Sequence, residues 1–322
     1  MLRRLILVVA VLGLVSGTAA FWRLWLAAGP ASGPHRVTIE EGSTLASVAR
    51  NLDAQGVIPG TARTYRGMAK IFGSSDPIQA GEFEIPAGTG GAGVLDILQH
   101  GRPVVRLVTI PEGMPSILVQ EKLAAIRELS GPVPLPEEGS VLPNSYDWQR
   151  GESRAAVLKR MTDAMTKELD ALWAARKWNC PVNSKEEAVI LASIVEKETG
   201  KPSERRMVAG VYCNRLRIGM KLDADPTVIY PITKGKPLGR RIRRSELNAI
   251  TGYNTYREPG LPEGPIANPG RESIAAVLDP APTKALYFVA DGSGGHVFAD
   301  TLAQHNANVK RWYDIRRARG EM

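Results

Sequence analysis

The longest run of apolar residues lies at the start of the chain. From Leu5 to Trp22 it contains no charged residue, and Ser16 and Thr18 are its only polar side chains. A run of this length is close to the minimum that crosses the hydrocarbon core of a bilayer. We therefore predict a transmembrane helix over residues 5–26, with an interfacial belt at its far end formed by Trp22, Arg23 and Trp25.

The charges that flank this run predict its orientation. Arg3 and Arg4 precede it, and positive residues stay on the cytoplasmic side, so we expect residues 1–4 inside and the bulk of the chain outside. Thr18-Ala19-Ala20 also resembles a small-residue cleavage site, which leaves a cleaved signal peptide as the alternative. Both interpretations export most of the chain, which argues against a role in binding nucleic acid.

A small subdomain is predicted after this helix. Residues 27–36 are rich in Gly, Ala and Pro and predict a linker. Residues 37–103 then follow the order strand, helix, helix, strand, helix, with strands at Val37–Glu40 and Ala80–Pro86. The stretch TIEEGSTLASVARNL resembles a LysM-like module, a type that binds glycans containing GlcNAc. A small α+β spacer that binds no ligand is the alternative.

Residues 104–322 predict a second, larger α+β domain. A strand is expected at Val105–Ile110, followed by helices at Ser116–Leu129, Arg154–Trp178 and Lys185–Thr199. Three later segments, 222–230, 253–270 and 287–298, are loop-like and unusually rich in polar and aromatic residues. The fold class is therefore α+β throughout, with one N-terminal transmembrane helix.

Composition excludes some kinds of site. The chain has two cysteines, Cys180 and Cys213, and four histidines without ligand spacing, so we expect neither a four-cysteine nor a histidine-rich metal site. The two cysteines could pair in an oxidising compartment, although sequence does not show their geometry. The formal net charge of +8 suits an anionic lipid, an acidic polymer or a nucleic acid, and composition alone does not choose among them.

One helix carries a glutamate in an unusual place. In Lys185–Thr199, Glu198 lies four positions after Ile194 and eight after Ile190, so it shares their apolar face. It also lies in the last helical turn. Partial desolvation and the negative helix end both disfavour the carboxylate, so both should raise its pKa. A general acid that works near neutral pH needs such a pKa.

Two other interpretations of this helix stay open. Glu196 lies about 200° around the helix from Ile194 and is the alternative acid. Glu198 could instead be an ordinary glutamate in the final turn, exposed to water or paired with Lys201 or Arg205.

Side chains that can bind sugars are concentrated in the loop-like segments. Asn, Tyr and Asp can hydrogen-bond sugar hydroxyl and N-acetyl groups, and aromatic faces can stack on pyranose rings. For any one segment taken alone, turn chemistry is the better explanation. The candidates for a glycan cleft are Asp225, Tyr230, Asn254, Tyr256 and Asn268.

Taken together, these segments resemble a known family. ASIVEKETG, NRLRIGMKLDADPTVIY, YNTY with GLPEGPIANPG, and YFVADGSGGHVFADTLAQHN are similar to motifs of the YceG-like endolytic murein transglycosylases. The resemblance implies an inner-membrane anchor, a LysM-like subdomain and a catalytic domain in the periplasm. It also implies that Glu198, the second glutamate of EKET, is the catalytic residue. One departure is Asn144, which stands where such proteins often have an aspartate.

The activity implied by the resemblance needs a single carboxylic acid and requires no metal or cofactor. Glu198 would protonate the oxygen between MurNAc and GlcNAc, then take the proton from the C6 hydroxyl, leaving a 1,6-anhydro-MurNAc end. Implied partners are nascent peptidoglycan strands and penicillin-binding proteins. Two alternatives stay open: a muramidase, which would need a second carboxylate opposite Glu198, and a non-catalytic glycan-binding scaffold. The basic run 234–244 could hold stem-peptide carboxylates or be a solvated surface.

Overall fold

The computed structural model describes residues 2–177 and 179–321, and the chain divides into two compact units, Met1–Arg106 and Leu107–Met322. Met1 and the side chain of Arg3, which belong to the predicted cytoplasmic end, lie outside the described part. Among the described residues the strands form three two-stranded sheets surrounded by helices, so the α+β class is confirmed.

The first unit begins with the apolar helix. This helix, α1 (Leu2–Phe21), continues into a π-helical turn at Trp22–Leu26. The segment Ile6–Leu26 is long and apolar enough to span a membrane. The helices and strands of this unit are α1 (Leu2–Phe21), β1 (His35–Ile39), α2 (Leu45–Ala54), α3 (Ala62–Phe72), β2 (Gly81–Ile85) and α4 (Gly91–His100). They follow the predicted order. Strands β1 and β2 pair antiparallel, with Val37 opposite Phe83 in the core.

The end of the apolar helix belongs to the core of this unit. Trp25 is only 4% exposed and its ring lies 5.9 Å from that of Tyr65. Helix α4 begins at Gly91, close to Trp25. A side chain would not fit at this position, because a Cβ would lie 2.8 Å from the Leu24 carbonyl oxygen and 3.2 Å from the Trp25 ring. The prediction that Trp25 forms part of an interfacial belt is therefore wrong. Burial of the indole outweighs its preference for an interface.

The segment predicted as a linker is also attached to this unit. The Gly29 amide donates to the Gly88 carbonyl at 3.1 Å, and the Gly88 amide donates to the Ala31 carbonyl at 3.1 Å. Ala31 is buried, and β1 already begins at His35. Residues 27–34 thus run along the unit and are held by its backbone.

Replacing the buried indole should unfold the first unit more easily. We expect Trp25→Ala to lower its free energy of unfolding by about 3–5 kcal/mol, because a large core side chain is lost. Trp22→Ala is the matched control, since Trp22 is 62% exposed and its loss should cost less than about 0.5 kcal/mol. Hydrogen exchange of the β1 amides in the detergent-solubilised full chain measures both. Equal protection in the two variants would contradict this packing.

The second unit is mainly helical. Its elements are β3 (Arg106–Thr109), α5 (Ser116–Ala124), β4 (Ser145–Trp148), α6 (Arg154–Ala174), α7 (Lys185–Glu198), α8 (Arg205–Arg217), α9 (Asp225–Thr233), α10 (Arg244–Leu247), α11 (Arg271–Leu278), β5 (Tyr287–Ala290), β6 (His296–Ala299) and α12 (Leu302–Ala318). Strand β3 pairs with β4, and β5 forms an antiparallel hairpin with β6.

Some predicted boundaries are wrong. The helix expected over 116–129 ends at Ala124, because the Arg154 guanidinium forms hydrogen bonds with the carbonyl groups at and beyond its end. It donates to the carbonyls of Leu123 at 3.1 Å and Ile126 at 2.8 Å. Helix α6 ends at Ala174, and the predicted end at Trp178 lies outside the described residues. The segment 222–230, predicted as a loop, contains the start of α9, and 287–298 forms the β5–β6 hairpin.

Helix α7 lies in the middle of the second core. Its side chains Leu191, Ile194 and Val195 are completely buried, and it packs against α8, α9 and α11. Each such side chain contributes about 1.5–3 kcal/mol through its removal from water. Ser184 accepts a hydrogen bond from the Glu187 amide and so caps the start of the helix. The last residue of α7 is Glu198.

A disulfide joins the segment before α7 to α8. Cys180 and Cys213 are bonded, with their Cα atoms 5.0 Å apart, and they are 33 positions apart in sequence. The pairing that the sequence left open is therefore present. Cys213 adjoins Tyr212, which is also buried in the core.

Removing the disulfide should destabilise α8. We expect the double variant Cys180→Ala, Cys213→Ala to lower the free energy of opening by about 4 kcal/mol, since a loop of this length gains entropy when unfolded. Hydrogen exchange of the α8 amides measures the loss. Reduction of the wild-type chain is the control and should give the same change. Unchanged protection in both samples would contradict a stabilising role for the bond.

Candidate functional site

A pocket of about 590 Å³ opens at the end of α7. It is bounded by α8, by the residues before and at the start of α9, by the β5–β6 hairpin and by α12. We call it the Glu198 pocket. Its polar and aromatic lining residues are Lys197, Glu198, Tyr212, Arg215, Asp223, Asp225, Tyr256, Tyr287, Phe288 and His305.

Glu198 has the electrostatic properties of a general acid. Burial, with a smaller contribution from the negative charge of Asp225, raises its pKa to about 7. The positive charge of Arg215 and a hydrogen bond donated by the Tyr212 hydroxyl oppose that rise. The side chain is nevertheless partly accessible from the pocket. A carboxyl group in this position is protonated for much of the time at neutral pH and can reach a ligand.

Tyr212 is a fixed hydrogen-bond donor to Glu198. It lies in the middle of α8 and is only 1% exposed. Burial and the neighbouring Glu198 carboxylate raise the pKa of its hydroxyl well above the ordinary value. The hydroxyl therefore keeps its proton whether Glu198 is charged or neutral.

Asp225 and Tyr256 form a hydrogen-bonded pair on the opposite wall. Asp225 begins α9, and its Oδ1 accepts a hydrogen bond of 2.7 Å from the Tyr256 hydroxyl. Burial and the bond to Asp225 raise the pKa of Tyr256. Both residues were predicted as cleft residues, and both lie in the pocket with Glu198. The pocket thus contains two aspartates, Asp223 and Asp225, besides Glu198.

Arg215 joins three walls of the pocket. Its guanidinium donates to the carbonyls of Leu286 and Leu222, each at 2.7 Å. It also lies 3.6 Å from the carboxylate of Asp223, whose backbone has φ +50°. Such a conformation is uncommon for residues other than glycine, and Asp is among those that tolerate it. These contacts fix the approach to α9 and the start of the hairpin around one cation.

The far wall is aromatic. The Tyr287 ring stacks on the His305 ring at 5.2 Å with an interplanar angle of 23°, and the Arg215 guanidinium lies 5.5 Å from the Tyr287 centroid. Burial lowers the pKa of His305, and Arg215 lowers it further, so the imidazole is neutral at physiological pH. Flat aromatic surfaces of this kind can pack against sugar rings.

Glu196 is occupied elsewhere. Its Oε2 accepts hydrogen bonds from the Gly270 amide at 2.9 Å and the Ser273 hydroxyl at 2.7 Å, and Arg205 lies 3.5 Å away. These contacts place it at the start of α11, where a negative charge is favourable. Glu196 is not among the residues that line the Glu198 pocket.

Two predicted cleft residues have structural surroundings instead. The Asn254 amide donates to the carbonyls of Leu247 and Ala249 at 3.0 and 2.7 Å, and only 2% of the residue is exposed. Asn268 is fully buried, donates to the Met114 carbonyl at 2.9 Å and accepts from the Val141 amide at 2.9 Å. Their hydrogen-bonding capacity is used in holding loops, and neither lines the Glu198 pocket.

Tyr230 lies in a neighbouring pocket of about 350 Å³, which shares Lys197 and Pro226 with the Glu198 pocket. Its hydroxyl donates to the Glu138 carboxylate, and burial raises the pKa of Glu138. The two pockets meet beside the end of α7.

Asn144, which stands where such proteins often have an aspartate, lies on the surface. Its Oδ1 accepts a hydrogen bond of 2.7 Å from the Ser145 amide in a local turn.

Seven polar or aromatic residues of the Glu198 pocket were not predicted from the sequence: Lys197, Tyr212, Arg215, Asp223, Tyr287, Phe288 and His305. All except Tyr212 lie within the motifs quoted above, but their convergence depends on tertiary packing. Within residues 2–177 and 179–321, no group of three or more His, Cys, Asp or Glu side chains could hold a metal ion.

The raised pKa of Glu198 predicts how stability changes with pH. The folded state binds this proton more tightly than the unfolded state, so the free energy of unfolding falls as pH rises from about 4.5 to about 7. Glu198→Gln removes this effect. We expect the variant to match the wild type near pH 4 and to exceed it by up to about 3 kcal/mol at pH 8. Denaturant unfolding of the second unit at both pH values measures the difference.

Glu196→Gln serves as the control. It removes a carboxylate that is hydrogen-bonded in the folded state, so it should lower stability at pH 8. If Glu198→Gln and the wild type had the same free energy of unfolding at pH 8, the result would contradict burial of the Glu198 carboxyl group as the cause of its raised pKa.

Comparison with known proteins gives a consistent set of relatives. The model of the YceG-like family matches residues 37–311. A Bacillus subtilis protein named endolytic murein transglycosylase is 35% identical over 179 residues, which are 55% of this chain and 48% of that protein. A Streptococcus pneumoniae protein of the same name is 27% identical over 323 residues, covering 85% of this chain and 57% of that protein.

A solved structure is also similar. The crystal structure of a putative YceG-like protein from Listeria monocytogenes matches with a TM-score of 0.52 and 25% identity. The match covers 85% of this chain and 98% of that one. By contrast, the chain spans 48% and 57% of the lengths of the two curated relatives.

Proposed function

The chain belongs to the YceG-like family, whose model spans both of its units, and on that premise we propose that it is an endolytic peptidoglycan lytic transglycosylase. It would cleave the β-1,4 bond between MurNAc and GlcNAc in nascent strands and leave 1,6-anhydro-MurNAc ends. The observation that carries the proposal is Glu198, a carboxyl group with a pKa of about 7 in an open pocket. The relatives named endolytic murein transglycosylase support it.

The proposed reaction begins with Glu198 protonated. It donates its proton to the oxygen that joins the two sugars, and the bond from that oxygen to C1 of MurNAc breaks. Positive charge then develops on the MurNAc ring. The carboxylate of Asp225 is well placed electrostatically to stabilise it, because its charge already acts on Glu198.

The second step closes the ring without water. Glu198, now a carboxylate that accepts the Tyr212 hydrogen bond, takes the proton from the C6 hydroxyl of the same MurNAc. O6 attacks C1, and the 1,6-anhydro ring forms. Attack within one residue has a large entropic advantage over attack by a separate molecule. A single carboxyl group that changes protonation state twice is therefore sufficient.

A muramidase is the second candidate function, and a specific observation favours it. A hydrolase commonly uses two carboxylates that flank the scissile bond. Asp225 lines the same pocket as Glu198 and could act as base or nucleophile. Its hydrogen bond to Tyr256 leaves its second oxygen available for such a role. The products distinguish the two reactions, since hydrolysis gives reducing MurNAc ends.

The remaining parts of the proposal concern location and binding. We place the bulk of the chain in the periplasm, anchored in the inner membrane by Ile6–Leu26, beside penicillin-binding proteins that make the strands. A groove of about 370 Å³ in the first unit, lined by residues that include Leu45, Lys70 and Gln99, would give the LysM-like module a place for glycan. We call it the Lys70 groove. A scaffold would keep this groove and need no acid.

A digest of uncrosslinked glycan strands tests the proposal. The full chain in detergent is used, because truncation before residue 30 would remove Trp25 from the first core. We expect 1,6-anhydro ends from the wild type, detected by mass spectrometry. Glu198→Gln should cleave more slowly by about 10²–10⁴-fold, the usual contribution of a general acid. Glu196→Gln is the matched control and should give the same products as the wild type.

Three other results would change the conclusion. Reducing ends that disappear in Asp225→Asn would favour the muramidase. Strands that bind to the wild type and to Glu198→Gln without being cleaved would favour the scaffold. Equal cleavage by Glu198→Gln and wild type would exclude Glu198 as the acid.

A further inference from the structure

An apolar surface lies where the membrane helix enters the first unit. The Phe21 ring packs edge-on against the Phe72 ring, with centroids 4.7 Å apart. This contact brings the C-terminal end of α3 against the end of α1. Their chain neighbours Ile71 and Trp22 are 72% and 62% exposed, and Phe72 itself is 54% exposed. We call Trp22, Ile71 and Phe72 the juxtamembrane patch.

The patch is unusual for a surface bathed in water. Large apolar side chains that are exposed together mark contact with a partner or a membrane. Helix α3 buries Tyr65 and Ala69 against the first core, so its last two residues are not needed to fill that core. Its C-cap, Gly73, ends the helix directly after them.

Positive charge borders the patch. Arg63, Arg66 and Lys70 are exposed and lie three and four positions apart, so they share one side of α3. Helix α3 contains no acidic residue, and Arg23 is exposed in the π-helical turn. Among the described residues these four side chains form no salt bridge. Basic residues beside apolar ones are typical of helices that lie at a membrane surface.

From these contacts we infer that the C-terminal end of α3 lies in the membrane interface beside α1, with Ile71 and Phe72 at the acyl boundary and the basic side of α3 against anionic headgroups. The occupant of the patch is thus lipid and not a second protein. The inference rests on Ile6–Leu26 crossing the membrane and is independent of which bond the enzyme cleaves.

This placement has a consequence for the Lys70 groove. The groove is lined by Lys70 and Gly73, the residues on either side of Ile71 and Phe72. It would therefore open close to the membrane surface. A glycan held there would be one that has just left the membrane, which agrees with the proposed action on nascent strands.

Depth-dependent quenching in vesicles tests the inference. Both native cysteines are paired in the disulfide, so a single introduced cysteine can be labelled selectively. The full chain carrying Ile71→Cys is labelled with an environment-sensitive fluorophore and reconstituted with phosphatidylethanolamine and phosphatidylglycerol that contain doxyl-labelled lipid. We expect the probe at position 71 to lose most of its fluorescence. Glu84→Cys, exposed on β2, is the matched control and should keep it.

Two further arms make the outcome decisive. A probe at position 12, in the middle of α1, must be quenched, and its failure would overturn the premise of insertion. The triple variant Arg63→Gln, Arg66→Gln, Lys70→Gln should weaken quenching at position 71 in anionic vesicles and leave it unchanged in zwitterionic ones. Equal quenching at positions 71 and 84 would overturn the inference. The quenching experiment measures where α3 lies, and the digest of glycan strands measures which bond is cleaved. The proposed membrane placement and the proposed enzymatic function can therefore fail separately.

Discussion

Burial of helix α7 is the constraint on which the second unit depends. Leu191, Ile194 and Val195 have no exposed surface, and α8, α9 and α11 surround the helix. The helix can therefore neither rotate nor slide without opening the core. Its last residue, Glu198, is held in partly desolvated surroundings by packing that begins two turns earlier. The raised pKa of Glu198 is the electrostatic cost of that position, and perturbed pKa values of this kind are characteristic of functional sites.

Helix α8 converts this buried position into a pocket. Tyr212 holds the carboxyl group, Arg215 binds carbonyl groups on two separate segments, and Cys213 attaches the helix to residue 180. Helix α8 thus orients the Glu198 carboxyl group, fixes two walls of the pocket and is covalently attached through the disulfide. This arrangement explains how residues from separate helices and a hairpin form a pocket of defined geometry.

Local pattern was sufficient to predict most of the elements and the position of Glu198 on its helix. Helical periodicity placed Glu198 on the buried face and directed Glu196 away from it, and both positions agree with the structure. The predicted end of α5 was wrong because the guanidinium of Arg154, a residue distant in sequence, binds carbonyl groups at the end of that helix. Asn254 and Asn268 were predicted as ligand-binding because a buried amide that holds a loop has the same local sequence as one that binds a sugar. Arg215 and His305 could not be identified, since only the folded chain brings α8, the hairpin and α12 together.

The proposed chemistry depends most directly on the ionisation of Glu198. Carbon-13 labelling of the glutamate carboxyl groups allows each to be titrated by NMR, and the signal absent from Glu198→Gln identifies this residue. Its chemical shift should change with a midpoint near pH 7, because burial and Asp225 both favour the protonated form. A midpoint near the ordinary value of 4.5 would show a solvated carboxylate and contradict the proposed role of Glu198 as the general acid.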